Sequence, residues 1–261
     1  MSHIDLMIDA AVRAAAIIAE VYERDIVSSR KTDGSPVTEA DQRAEVAIID
    51  VLRHTGIPVL AEESVAAGHI PDLGQRFFCV DPLDGTREFL KRNGEFAVNI
   101  ALCEGGRATS GVVLAPVTGE LWWGGDAGAF KRVGGQEHPL RCVSRSPLRI
   151  VGSRSHGHGP LASLMSTMKI TENVSVGSSL KFCMLAEGKA ELYPRFTPTS
   201  EWDTAAGQAI LEAAGGVVLT LDDEPLRYGK SGSEFINPWF VAAVDRTLAR
   251  KASKEMRILA S

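Results

Sequence analysis

The 261-residue sequence contains no apolar run of the roughly 18 residues that a membrane-spanning helix needs. Its amino terminus has no basic stretch ahead of the first apolar residues, only His3, Asp5 and Asp9, so a secretory leader is not expected. No run of five or more Lys and Arg occurs, and 28 basic against 33 acidic side chains leave a formal charge of −5. Such a balance gives no electrostatic footprint for duplex nucleic acid or an anionic membrane. Cysteine is scarce: Cys79, Cys103, Cys142 and Cys183 lie far apart and form no Cys-x-x-Cys pair for zinc or redox chemistry. They are expected as buried thiols in a reducing, cytoplasmic compartment. Internal repeats and low-complexity segments are missing as well. What is present, 44% hydrophobic and 23% charged residues, is an ordinary globular composition with enough chain for one large or two small domains. A small-molecule partner is the expectation.

Ser2 and Asp5 have capping-box spacing, and Ile4, Ile8, Ala11, Val12, Ala15, Ile18, Ala19 and Tyr22 recur at helical intervals, which predicts a helix to about Glu23. The polar stretch from Lys31 to Pro36 breaks that pattern. Thr38 with Asp41 then opens a second helix, with Ala44, Ala47, Ile48, Val51 and Leu52 on its apolar face and Gly56 closing it. Short apolar runs follow at Ile57–Leu60, Phe77–Val80, Phe96–Leu102, Ser110–Leu114, Glu120–Trp123 and Gly128–Lys131, predicting an antiparallel meander beside two helices. Beyond Pro147 strands and helices alternate. Strands are expected at Leu148–Gly152, Asn173–Val176, around Glu191–Tyr193 and at Val217–Leu221, with helices near Pro160–Met168, from Ser178, and from Trp202 to Ala214. The expected organisation is an α+β domain over residues 1–147 and a smaller α/β domain over 148–261.

The densest chemistry lies in Phe77-Phe-Cys-Val-Asp81-Pro-Leu-Asp84-Gly-Thr86, where an apolar strand runs into two carboxylates three residues apart. At the carboxyl end of a strand, Asp81 and Asp84 can converge on a hard divalent cation, with the Leu83 carbonyl as a further oxygen ligand. Gly85 permits a tight turn, and N–H groups after it can face an anion. Both acids also suit ordinary turn and cap roles. A second acidic pair, Glu62-Glu63, ends another apolar strand in the same way, and Asp203 opens a small-residue helix whose dipole alone would favour an acid. A two-metal phosphoryl-transfer site needs several carboxylates. An aspartyl-nucleophile phosphatase would need an Asp where Pro82 stands, which removes the covalent mechanism.

Glu62-Glu63, Asp81-Pro-Leu-Asp84-Gly-Thr86 and Trp202-Asp203-Thr-Ala-Ala-Gly207 resemble the three signature motifs of the inositol monophosphatase superfamily, the lithium-sensitive, magnesium-dependent phosphatases. Residues 87–96, Ser153-Arg-Ser-His156, Gly177-Ser-Ser-Leu-Lys-Phe-Cys183 and Leu192-Tyr-Pro-Arg-Phe196 are similar to its CysQ branch, which hydrolyses the 3'-phosphate of adenosine 3',5'-bisphosphate in sulfur metabolism. The likeness covers nearly the whole chain. It implies a layered αβαβα sandwich of the inositol monophosphatase and fructose-1,6-bisphosphatase type, with two or more Mg2+ ions held by Glu62, Asp81, Asp84, Asp203 and the Leu83 carbonyl. Asp41 and Thr86 would orient and deprotonate a metal-bound water that attacks phosphorus directly. Lys181, Arg195, His156 and Ser178 would hold the rest of the nucleotide, with Gly85 and Thr86 beside the reacting phosphate. The resemblance also implies a cytoplasmic enzyme of a family some of whose members are peripheral to the inner membrane, acting on a small nucleotide and not on nucleic acid.

One segment departs from that branch. Ala61-Glu-Glu-Ser-Val-Ala-Ala-Gly68 is more similar to the inositol monophosphatase version, whereas in the CysQ branch an acid often stands at the position of Ser64. An inositol monophosphatase or another small sugar-phosphate phosphatase is therefore the alternative. A non-catalytic metal- or nucleotide-binding protein on the same scaffold would need a lost catalytic group, yet Asp41, Thr86 and all four carboxylates are present.

Overall fold

The computed structural model describes residues 2–24, 26–31, 34–153, 158–230 and 234–260. Helix α1 (His3–Tyr22) starts in a capping box between Ser2 and Asp5, as expected from their spacing. Its buried stripe is Met7, Ala10, Ala11, Ala14, Ala15, Ile18 and Val21, so the face is rotated from the expected one and Val12 is left half exposed. Four alanines in that stripe let α1 lie close to its neighbours. A short hairpin, β1 (Ser28–Arg30) and β2 (Pro36–Thr38), occupies the stretch that breaks the helical pattern and leads into α2 (Glu39–Leu52).

Strand β3 (Val59–Ala61) runs directly into the short helix α3 (Glu62–Ala66), and β4 (Arg76–Asp84) into the equally short α4 (Thr86–Leu90). The meander continues through β5 (Ala97–Glu104), β6 (Arg107–Ala115), β7 (Glu120–Gly125), β8 (Gly128–Val133) and β9 (Gln136–Leu140). Together β3–β9 make a seven-stranded sheet in sequential order, parallel only at β3–β4. Side chains along β4 alternate between its faces: Phe78 and Val80 join the core under α1 and α2, while Phe77 and Cys79 join the core on the other side.

The second half supplies β10 (Arg149–Ser153), α5 (His158–Met168), β11 (Glu172–Val176), α6 (Leu180–Ala186), β12 (Leu192–Arg195), β13 (Thr199–Ser200), α7 (Ala205–Ala213), β14 (Val217–Thr220), β15 (Ile236–Asn237), β16 (Phe240–Ala243) and α8 (Arg246–Ala260). Five of these strands form a mixed sheet in the order β11-β10-β12-β16-β14, and β13 pairs with β15. Helices α6 and α7 lie between the two sheets, α1 and α2 cover one outside face, and α5 and α8 cover the other. The layering is αβαβα. Close approach in the centre depends on Gly111 of β6, where a Cβ would sit 2.3 Å from the Ala206 carbonyl oxygen of α7.

Several element boundaries differ from the sequence expectation. The strand expected to end at Val80 runs to Asp84, because Pro82 and Leu83 are absorbed in a bulge: Asp81 faces Asn99 and Asp84 faces Ala97, so β4 carries one extra residue. The helix expected from Ser178 begins at Leu180, since Ser178 has φ of 51° and cannot continue a right-handed turn. Strand β12 extends to Arg195 rather than stopping near Tyr193. The helix expected from Trp202 begins at Ala205, the Glu201 carbonyl accepting from both Thr204 and Ala205 in the preceding turn. Asp203 is consequently a turn residue rather than a first-turn helical acid.

Candidate active site

Three elements deliver their acids to one place. Helix α3 presents Glu62 at its first residue, β4 presents Asp81 on the face shared with Phe77 and Cys79, and the turn before α7 presents Asp203. Oxygen atoms of these three carboxylates lie within 4.8 Å of one another. Asp84, past the bulge, lines the same cavity together with Glu62, Thr86, Lys181, Arg195 and Asp203. The bulge also has a local lock: the Leu83 N–H donates to Asp81 Oδ1 at 3.0 Å. Asp84 Oδ2 accepts from the Asn99 side-chain amide at 3.2 Å and from the Ser179 N–H at 2.5 Å, and the Ser179 hydroxyl donates to Asn99 Oδ1 at 2.6 Å. Asp84 is thereby tied to the start of α6, in the other half of the chain.

Asp203 is held by its own turn, accepting from the Thr199 hydroxyl and, at 3.1 Å, from the Ser200 N–H. The neighbouring Glu201, fully buried, accepts from the N–H of Gly229 at 2.5 Å and pairs with Lys230 at 2.6 Å, which fastens the turn to the following loop.

Asp41 serves as a cap and faces the site at once. Its Oδ2 accepts from the Thr38 N–H (2.8 Å) and the Thr38 hydroxyl (2.6 Å), completing the capping box of α2, while Oδ1 accepts from the Thr86 hydroxyl at 3.1 Å. Thr86 opens α4 directly after Gly85, whose φ of 98° makes the turn out of β4.

Burial and mutual repulsion govern the protonation of the cluster. Desolvation, and then the charge of Asp203, push the Glu62 carboxyl up to about 8. Asp84 is pushed up to about 6 by the same two influences, and Asp81 lies well above the carboxylate range through burial and the charges of Glu62 and Asp84. Burial also raises Asp203 and Asp41, against the hydrogen bonds each accepts. A group of oxygen donors that resists ionisation when alone is what a hard divalent cation stabilises, so the donor set fits Mg2+ chemically. One cation of the chain's own is at hand: Lys31 Nζ lies 2.5 Å from Glu62 and 2.6 Å from Glu63. Burial alone would lower the Lys31 ammonium pKa, but these two ion pairs outweigh it and raise it.

In the same cavity, Lys181 Nζ donates to the carbonyls of Ser178 and Val176 and lies 5.3 Å from the Tyr193 ring centroid. Arg195 donates from Nε to the Thr197 carbonyl at 3.2 Å. The Ser178 hydroxyl accepts a long bond, 3.4 Å, from the Leu180 N–H. His156 lies outside the described residues. The structure therefore brings together Glu62, Asp81, Asp84, Asp203, Asp41 and Thr86, and Ser178, Lys181 and Arg195 line the same cavity as Glu62, Asp84, Thr86 and Asp203. Sequence reasoning missed Lys31, Glu45, Asn99 and Ser179. Only Asn99 left a clear signal, as the one polar residue in the apolar run Phe96–Leu102.

The chain belongs to the inositol monophosphatase family, whose model matches residues 2–257. Among curated proteins it is similar to the 3'(2'),5'-bisphosphate nucleotidase CysQ of Salmonella typhimurium, 45% identical over 87% of this chain and 94% of that one. CysQ of Escherichia coli strain K12 is 42% identical over 92% of this chain and 99% of its own length. Among solved structures, CysQ from Bacteroides thetaiotaomicron, described as a bacterial member of the inositol monophosphatase family, is 39% identical with a TM-score of 0.78, covering 91% of this chain and 95% of that chain. Among the described residues no helix is long and apolar enough to cross a membrane. All four cysteines are free thiols, Cys142 only partly buried.

Proposed function

We propose that the protein is a Mg2+-dependent 3'(2'),5'-bisphosphate nucleotidase that hydrolyses adenosine 3',5'-bisphosphate to AMP and phosphate by direct attack of water. The observation that carries this reading is a cavity lined by Glu62, Asp84, Asp203, Thr86, Lys181 and Arg195, with Asp81 within reach of Glu62 and Asp203 and with Asp41 bonded to Thr86. Identity of 42–45% to CysQ nucleotidases supports the choice of substrate. Glu62, Asp81, Asp84, Asp203 and the Leu83 carbonyl would hold two or more Mg2+ ions. Such ions, when bound, supply positive charge that offsets the charge developing on the phosphoryl group and the departing ribose 3'-oxygen.

The remaining work falls to the chain. The Thr86 hydroxyl lies 3.1 Å from Asp41 Oδ1 and 3.4 Å from the Leu83 carbonyl; with its proton toward Asp41, the nearer acceptor, its lone pairs can accept from the attacking water, whose proton can pass through Thr86 toward Asp41. A carboxyl whose proton affinity is raised by burial is suited to receive it. Gly85 and Thr86 place backbone N–H groups beside the reacting phosphate. Lys181, as a point charge, and Arg195, as a planar fork, would hold the second phosphate, with Ser178 as a hydroxyl donor and His156 nearby. In this reading residues 1–147 and 148–261 are two units that meet at the site, and the enzyme is cytoplasmic.

Phosphate release from adenosine 3',5'-bisphosphate, AMP and inositol 1-phosphate, with and without Mg2+ and with the Asp84→Asn variant, tests the reading. The expected result is Mg2+-dependent release from the bisphosphate at far higher kcat/KM than from the other two, lost in Asp84→Asn. Preference for inositol 1-phosphate would overturn the substrate, and release from none would overturn the reaction.

A further inference from the structure

Helix α3 begins at Glu62 without a cap of its own, because the residue before it is Ala61. The first N–H groups of a helix need acceptors from somewhere. Here the acceptor comes from another helix. Glu45, buried on α2, accepts the Glu63 N–H at Oε2 (2.7 Å) and, at Oε1, both the Ser64 N–H (2.8 Å) and the Ser64 hydroxyl (2.6 Å). It stands four residues after Asp41, and the two acids share the buried face of α2. One carboxylate thus joins the helix that carries Asp41 to the helix whose first residue, Glu62, reaches Asp81 and Asp203.

The choice of residue is informative. A Ser, Thr or Asn at position 61 would cap α3 locally without adding charge. Instead a carboxylate is buried against the backbone of Glu63, itself an acid. Local capping would satisfy the amides but leave α3 free to shift against α2. The bond from Glu45 removes that freedom. Ser64, the position at which the sequence departs from the CysQ branch, is part of the same device: its hydroxyl is engaged by Glu45, and an acid in its place would face the Glu45 carboxylate.

We propose that Glu45 is a positioning residue of the site, fixing Glu62 relative to Asp41 so that cation affinity and the orientation of the attacking water depend on the same clamp. This rests on the reading of the acid cluster as a cation site. Residues that orient a metal's direct ligands typically govern its affinity by about 10–100-fold. In Glu45→Gln the amide nitrogen must face an N–H of Glu63 or Ser64, which breaks the clamp while keeping size and removing a charge.

Mn2+ binding measured without substrate, by the electron paramagnetic resonance signal of free Mn2+, tests the proposal on the full chain, with thermal unfolding as a control for folding. Kd for Mn2+ is expected to rise about tenfold in Glu45→Gln, with kcat falling and KM for the nucleotide unchanged. Ser64→Ala, which removes one of the three bonds, is expected to weaken binding by about threefold and decides the matter if Glu45→Gln does not fold. A wild-type protein that binds Mn2+ while the folded variants match it within about twofold overturns the proposal alone, since a merely structural clamp would leave affinity in place. A wild-type protein that binds no Mn2+ overturns the cation reading, and the proposal with it.

Discussion

At the scale of single residues, structural roles and proposed chemical roles fall on the same groups. Asp41 completes a capping box, yet its second oxygen takes the Thr86 hydroxyl. Capping alone would be served by Asp41 with any residue at position 86. Thr86→Ala removes the proposed relay together with a long bond to the Leu83 carbonyl, and kcat is expected to fall by about 10²–10⁴ with KM and thermal stability little changed. Steady-state kinetics check this, and Thr86→Ser is expected to restore most of the rate; an unaltered kcat in Thr86→Ala would remove the hydroxyl from the mechanism. Glu62, Asp81 and Asp84 were legible in the sequence as carboxylates that end apolar strands, whereas Asp203 was legible only through its motif. Their partners were less so. Lys31 and Glu45 are charged residues in polar or amphipathic stretches, and nothing in their neighbourhood distinguishes an ion pair across 31 residues from a solvated surface charge.

At the scale of elements, the sequence announces a helix start where a capping side chain marks it, whereas α6 and α7, which have no such cap, begin two and three residues later than expected. Both capping boxes, at Ser2 and Thr38, are where the spacing puts them. The end of β4 is not legible, because the bulge across Pro82 is a pairing event with Asn99 and Ala97 and has no local marker beyond the proline. Strand β9 is almost wholly exposed and so lacks apolar alternation, and the sequence reading left both it and helix α8 unassigned. Helix α7 is legible as a small-residue helix, but the reason for the small residues is tertiary: it packs against β6 at Gly111. Gly111→Ala would drive a Cβ into the Ala206 backbone at 2.3 Å, which no side-chain rotation can relieve. Overpacking of this kind costs about 1–3 kcal/mol or more, read as a lowered Tm or denaturant midpoint. Unchanged stability would mean that α7 is free to retreat from the sheet.

At the scale of the whole molecule, the αβαβα layering brings residues 62, 81 and 203 within reach of one another at the edge of the central helical layer. No periodicity in the sequence reveals that convergence; the resemblance of the motifs did. The convergence buries several acids that repel one another, and the pH dependence follows from its sign. Glu62 is pushed up to about 8 from 4.5 and Asp84 up to about 6 from 3.8, so the folded chain binds protons more tightly than the unfolded chain at both positions. Their contribution to stability is therefore greatest at low pH and is lost as pH rises through the unfolded pKa values toward 8. A bound cation would favour the ionised carboxylates and reverse that loss.

The most direct test of the claim that these acids are gathered for a cation is Tm between pH 5 and pH 8.5, in EDTA and in Mg2+, for the wild type and Asp84→Asn. The account predicts that wild-type Tm in EDTA falls across this range relative to Asp84→Asn, and that Mg2+ restores it increasingly as pH rises while doing little for the variant. A wild-type profile in EDTA that parallels the variant's, or a Mg2+ effect equal in both proteins, would contradict it.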